Sequence, residues 1–363
     1  DNLDHLEGKK WSFRIKIQGD KTVFGMKVFS IHHPKTRNFI HEWIFHQSLR
    51  LEGLIGLRYK FINVTLNGKN LGIYALEEHF EKRLIENNRH REGPIIRFNE
   101  DLYWDEKIQQ EIPFNNGLGL KTKNSVRRNG VGEYLSSPIT TFQAKRWLSD
   151  SMIVLHNKGI HLLEHFRQGK LKTSDVFDTK KLAKFLALTD VMGAHHDAYW
   201  QGQRFYYNPI TSRLEPIGFD ADSGTPISSL CVNLDMREIQ IGSSAKLESK
   251  KTLPYFNFFE MLFNDIAFYN EYIKSLESFS QPKFLNNLFH QIDKELKNNL
   301  NIIHREFPNF MFSSSIYYRN QEYIKTVLNP VKGIHAYYKN RINDNIELEI
   351  GNIHILPIQI FYF

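Results

Sequence analysis

A chain of 363 residues, 41% hydrophobic and 24% charged, is long enough for two lobes around a sizeable core and too apolar for a disordered polymer. Its formal charge of +7 is mild and spread out. Without an Arg/Lys-rich helix or an aromatic RNA-binding signature, it argues against dedicated nucleic-acid binding and leaves nucleotide, phosphate or an acidic protein as partners. The lone Cys231 excludes an internal disulfide framework, and no apolar run reaches the ~18 residues of a membrane span.

Along the chain, Trp11 to Ile17 alternates as a half-buried strand, and Gly19-Asp20 turns it into a returning strand over Val23 to Ile31. Pro34 ends that strand, and Thr36 is placed to cap a helix from Asn38 to Leu51, with Phe39, Ile40, Trp43, Ile44 and Leu51 at helical spacing. Tyr59 to Leu66 and Leu71 to Leu76 read as strands around Asn67-Gly68, the strongest hairpin signal in the sequence. Residues 1–98 therefore predict a small antiparallel-sheet lobe, with Glu77 to Asn88 helical and Pro94 to Phe98 a short strand. Residues 99–345 predict a larger, mainly helical lobe with an insertion at about 99–140, where the pattern turns polar and Gly-bearing. Its helices are expected over Phe142 to Phe166, Thr179 to Val191, Tyr255 to Leu276, Pro282 to Asn298 and Gln321 to Asn343. Residues 346–363 return to strand character and read as the start of a further β segment. The fold class is α+β.

The chemistry concentrates between Phe185 and Gly224. An apolar helix breaks at Gly193, a polar loop carries His195, His196 and Asp197, and a hairpin over Arg204 to Phe219 delivers Asp220 and Asp222. Two acidic loops joined by a hairpin bring hard oxygen ligands together, as Mg²⁺ with phosphate requires. In that reading Asp197 orients a nucleophile and Asp220 holds the metal, with Asp222 in reserve. The plain alternative is a pair of turn-forming aspartates. On the first strands, Lys16 and Lys27 are candidates to reach nucleotide phosphates, with Glu42 on the following helix to hold one of them. Glu77-Glu78 either lines a cleft or supplies acidity at a helix N-terminus.

A rival signal is His161-Leu162-Leu163-Glu164-His165, which matches the H-x-x-E-H pattern of zinc hydrolases. Helix geometry ranks it behind. Met152, Leu155, Gly159, Leu162, Leu163 and Phe166 form one stripe, and His161 and His165 fall away from it toward solvent. No Walker-type or G-x-G-x-x-G phosphate cradle is present, so a nucleotide would be held by strands and side chains.

The run WSFRIKI…GMKVFSIHHPKTR, the segment RYKFINVTLNGKNLGIYALEEHF and HHDAYWQGQRFYYNP…LEPIGFDAD together resemble the CotH spore-coat kinase family, over roughly Trp11 to Gly224. The resemblance implies a two-lobed, atypical kinase fold that takes ATP and Mg²⁺ and phosphorylates an acceptor hydroxyl on a protein, a glycan or a small molecule. It implies Asp197 as the catalytic-loop aspartate, Asp220 as the metal ligand, Glu78 near the nucleotide, and Lys16 or Lys27 on phosphate. Only this resemblance points to a spore coat, or to an extracellular or cell-envelope setting. Two departures stand out. Gln201 or Gln203 replaces the asparagine that assists the metal, and no aromatic lies between Asp222 and its glycine. A weakened, pseudokinase-like nucleotide-binding module is therefore the alternative reading. The sequence does not fix an oligomeric state.

Overall fold

The computed structural model describes residues 10–101, 131–149, 151–234, 258–343, 345–358 and 360. Its N-terminal sheet is antiparallel in the order β1 (Phe13–Lys16), β2 (Val28–His32), β4 (Lys69–Glu78), β3 (Tyr59–Leu66). Asn67 and Gly68 take φ of 50° and 77° at the β3–β4 turn, the two left-handed positions that match the twist of a tight hairpin. Strand alternation gives the sheet two unlike faces. Phe13, Ile15, Phe29, Ile31, Tyr74 and Leu76 pack together on one. Across the other runs the row Arg14, Ser30, Glu77, Tyr59.

Helix α1 (Ile40–Leu51) starts later than the cap at Thr36 predicts. Pro34–Arg37 instead forms a 3-10 turn, and Asn38 and Phe39 take φ of 49° and 54°. The side-chain amide of Asn38 donates to the carbonyl of Ser223 at 2.7 Å, so a long-range contact sets this helix start. The kink turns Arg37 inward.

The strand β4 also runs past its expected end, to Glu78, which confines α2 to Lys82–Asn87. A second antiparallel sheet follows in the order β6 (Ile139–Thr141), β5 (Ile95–Phe98), β7 (Arg204–Asn208), β8 (Arg213–Ile217). Helix α3 (Val131–Ser136) precedes β6. The single helix expected from Phe142 to Phe166 is instead split into α4 (Ala144–Trp147) and α5 (Ile153–Arg167), and Phe142 follows directly on β6. Phe142 continues the strand by donating its N–H to the Ile95 carbonyl at 2.9 Å, and its ring packs on Phe80. Most of the expected insertion lies outside the described residues.

After α6 (Thr173–Val176) comes α7 (Thr179–Met192), as the periodicity predicts. It buries Leu182, Phe185, Leu186, Leu188, Val191 and Met192, each worth about 1.5–3 kcal/mol of transfer free energy. Asp178 caps its start, and Gly193 closes it in the left-handed conformation. Rings of Phe98, Tyr134, Phe166, Phe177, Trp200, Phe205 and Phe258 join the same core, where edge-to-face aromatic pairs add to burial.

The helix expected over Tyr255 to Leu276 is split, with residues 255–257 outside the described set. Helix α9 (Phe258–Phe263) stops, and Asp265 caps α10 (Ile266–Phe279) by accepting the Ala267 N–H. Helix α11 (Pro282–His304) packs against α1 and β3. Helix α12 (Ser315–Leu328) ends before Pro330, and the region expected to stay helical to Asn343 is strand β9 (Ile334–Ile342), paired antiparallel with β10 (Asn345–Asn352). Proline removes the N–H that the helix would need to continue. No helix among the described residues is long and apolar enough to cross a membrane. The architecture is α+β with antiparallel sheets.

Candidate active site

Gly193 ends α7 where no other residue fits. Its φ is 56°, and a Cβ there would stand 1.9 Å from the Thr225 carbonyl oxygen. The chain then turns through α8 (His195–Ala198), and Asp197 goes into the interior with no exposure. Its Oδ2 accepts the Phe219 N–H at 2.8 Å, and its carbonyl accepts the Gln203 amide at 2.6 Å. Its Oδ1 has no hydrogen-bond partner. Burial pushes the Asp197 carboxyl well above the usual carboxylate range, although the Phe219 N–H works against it.

The β7–β8 hairpin brings the second acidic loop to the same place. Gly218 follows β8 and donates its N–H to the Ile55 carbonyl at 3.0 Å. Asp220 and Asp222 take left-handed φ of 55° and 47°, a conformation aspartate tolerates better than most residues. Asp220 forms an ion pair with the Arg37 guanidinium, and its Oδ2 lies 3.6 Å from His196 Nε2. That contact raises the His196 imidazole above its ordinary value, against burial. Asp222 is exposed at the edge, within the field of His196 and Asp220.

Behind this loop lies a buried polar layer. Arg37, whose Nε is 3.8 Å from Glu77 Oε1, ties Asp220 to the strand row. Burial opposes the charge on Arg37, but Asp220, Glu77 and Glu42 together raise its basicity. Glu42 is fully buried on α1, and its Oε1 accepts the Ala221 N–H at 3.1 Å. Glu77 is pushed up to about 8, first by burial and then by Glu42 and Asp220, against the pull of Arg37.

The structure thus gathers Asp197, Asp220, Asp222, Gln203 and Glu42 around one locus. Other residues singled out in the sequence lie elsewhere. Glu78 is buried on the opposite sheet face from Glu77, where it pairs with Arg58 and accepts the Arg58 N–H at 3.0 Å. The Lys27 ammonium donates to the Gly19 carbonyl at 2.7 Å, at the β1–β2 turn. Lys16 is exposed and shares a face of β1 with Arg14, whose charge reaches Glu77. Gln201 offers its carbonyl to Arg204 at 2.6 Å. On α5, His161 and His165 are exposed and stack on each other, while Glu164 is turned onto Arg167 and Gln168.

Sequence reasoning did not single out Arg37, and it named Glu77 only jointly with Glu78. Strand alternation opposite Tyr59 is the signal that separates Glu77 from Glu78. Nothing local marks Arg37, because its inward turn depends on Ser223. A second titratable cluster, Asp190, His195 and Cys231, is internally satisfied. Asp190 Oδ1 accepts from His195 at 2.7 Å and from the Cys231 N–H at 2.9 Å, and Tyr272 takes Oδ2. Burial pushes the Cys231 thiol up, away from the reactive thiolate.

A helix-to-loop aspartate and a hairpin-borne aspartate thus meet in an α+β framework, the second paired with Arg37. The chain belongs to the CotH kinase family: the model described as CotH kinase protein matches residues 9–330 of 363. Membership places it with kinases, which are transferases. No curated protein matches the chain.

Proposed function

We propose that this chain is an ATP-dependent phosphotransferase with a two-lobed, kinase-like arrangement, moving the γ-phosphoryl group to an acceptor hydroxyl, on a protein in the first instance. The observation that carries the reading is Asp197: a buried carboxylate pinned through one oxygen to the end of the β7–β8 hairpin, with its other oxygen unpartnered. Such a group is held rigidly and has an acceptor ready for a hydroxyl proton. Asp220 and Asp222 fit a hard divalent cation, since both supply oxygen ligands and Asp222 is exposed. When bound, Mg²⁺ would neutralise charge on the phosphates.

The protein's own residues do the rest. Gln203 fixes the loop that carries Asp197, Glu42 fixes the main chain between Asp220 and Asp222, and Lys16 is the phosphate-facing cation, since Lys27 is engaged at its own turn. Positioning and charge stabilisation are most of what phosphoryl transfer asks of a protein.

Nucleotide binding without transfer is the second reading. The observations that favour it are the Arg37–Asp220 pair and the Gln203 amide committed to the main chain. A thermal-shift titration with Mg-ATP followed by radiolabel transfer separates the two. Transfer that is lost in a folded Asp220→Ala variant supports the enzyme. A shift without transfer supports the binding module, and transfer that survives Asp220→Ala overturns the site assignment.

A further inference from the structure

Behind the Asp220 loop, Glu42, His46 and Glu77 each place one polar atom within 4.8 Å of the others. They are 0%, 2% and 5% exposed. Glu42 uses Oε1 on the Ala221 N–H, which leaves Oε2 with no hydrogen-bond partner, and Glu77 Oε1 has none either. A separate observation marks the same spot. Tyr59, opposite Glu77 in the sheet and 3% exposed, has an Oη with no partner. Its ring stacks on His46 with centroids 5.8 Å apart, and Glu42 and Glu77 are the first charges that act on its hydroxyl. Three buried oxygens that each lack a partner are costly unless something joins them.

Arg37 is shared between Asp220 and Glu77, and its Nε makes no hydrogen bond. His32 Nε2 stands 4.0 Å from Glu77 Oε2, and Arg14 acts on Glu77 from farther off. His46 adds no ligand. Its Nδ1 accepts the Leu57 N–H at 3.2 Å, so the neutral ring carries its proton on Nε2, which lies 3.5 Å from Glu42 Oε1. What remains is an all-oxygen set, and oxygen ligands select Mg²⁺ or Mn²⁺ over softer metals.

We infer that Glu42 and Glu77, with Tyr59 Oη as the neutral oxygen beside them, form a buried site for a hard divalent cation, distinct from the one at Asp220 and Asp222. The site adds a second cation to the proposed kinase centre, but its supporting geometry owes nothing to catalysis. Glu42 belongs to both layers: its Oε1 shapes the Asp220 loop, and its Oε2 is left without a hydrogen-bond partner.

Mn²⁺ binding to the full chain, stripped with chelator and free of nucleotide, tests this by electron paramagnetic resonance. An Asp220→Asn, Asp222→Asn background removes the outer site. That background is expected to bind about one Mn²⁺ per chain. Adding Glu42→Gln and Glu77→Gln should abolish binding with the far-ultraviolet spectrum intact. Tyr59→Phe, the gentler change, should keep the stoichiometry and weaken affinity about tenfold or more. A background that binds no Mn²⁺ at millimolar concentration, or glutamine variants that bind as tightly as the background, overturns the site. Mn²⁺ held at Glu42 and Glu77 in a chain with no phosphoryl transfer upholds the site and overturns the kinase reading alone. Transfer without the inner cation does the reverse.

Discussion

The main-chain N–H of Phe219 donates to Oδ2 of Asp197 at 2.8 Å across a separation of 22 residues. This bond fastens the loop that follows α7 to the end of the β7–β8 hairpin, so the two acidic loops share one frame. Asp197→Asn keeps an acceptor for that N–H but removes the proton-accepting carboxylate. Phosphoryl transfer is expected to fall by about 10²–10⁴ while the circular dichroism spectrum and melting temperature stay near those of the parent. An Asn variant with full turnover would remove Asp197 from the chemistry.

Arg37 compensates carboxylates in a buried layer. Arg37→Ala leaves Asp220 and Glu77 without it, and a broken buried pair costs about 3 kcal/mol or more. The urea midpoint should drop with the slope unchanged, and the loss should be smaller at acid pH, where the stranded carboxylates are protonated.

Glu215 on β8 is the clearest source of pH dependence. Burial alone would raise it, but hydrogen bonds from His90, Asn208 and Lys181 hold it down at about 2 against an ordinary 4.5. The folded state therefore releases this proton more readily than the unfolded chain, so the stabilisation is complete above about pH 4.5 and lost as pH falls toward 2. Its side chain is 1% exposed, and the contribution is about 3 kcal/mol. Stability measured against pH should steepen in that window for the parent and flatten there for Glu215→Gln.

Gly193→Ala tests the turn that aims Asp197. The added methyl would meet the Thr225 main chain first, which cannot swing away as the neighbouring Asn320 side chain could. Overpacking together with a left-handed φ is expected to cost about 2–4 kcal/mol, and activity should fall further than stability because the 195–197 turn is displaced. A variant with parental melting temperature and turnover would show that the turn has slack.

The parts legible in the sequence are those that local physics decides. Asn67-Gly68 announces its hairpin, Thr179 to Val191 its helix, and Arg204 to Phe219 the strands that carry the acidic loop. The illegible parts depend on distant partners. Phe142 reads as the start of a helix until Ile95 pairs with it, and the Asn38 kink needs Ser223. Gln321 to Asn343 has helical spacing on both sides of Pro330, yet the chain beyond it pairs with Asn345–Asn352. For the site, the sequence names the carboxylates but not their counter-charge. Glu77 and Glu78 are adjacent letters whose sheet faces only the register separates.

That separation makes the alignment of β3 with β4 matter more than the composition of either. A slip of one residue would turn Glu78 toward α1 and Glu77 toward Arg58, inverting the polar layer without changing a single side chain. The bulge that leaves Leu71 unpaired, between the Val64–Gly72 and Thr65–Asn70 pairs, stands between the loop tip and the glutamates. An added or lost residue at Asn67-Gly68 can be taken up there, so the tip is free to vary in length while the inner end of the hairpin keeps its phase.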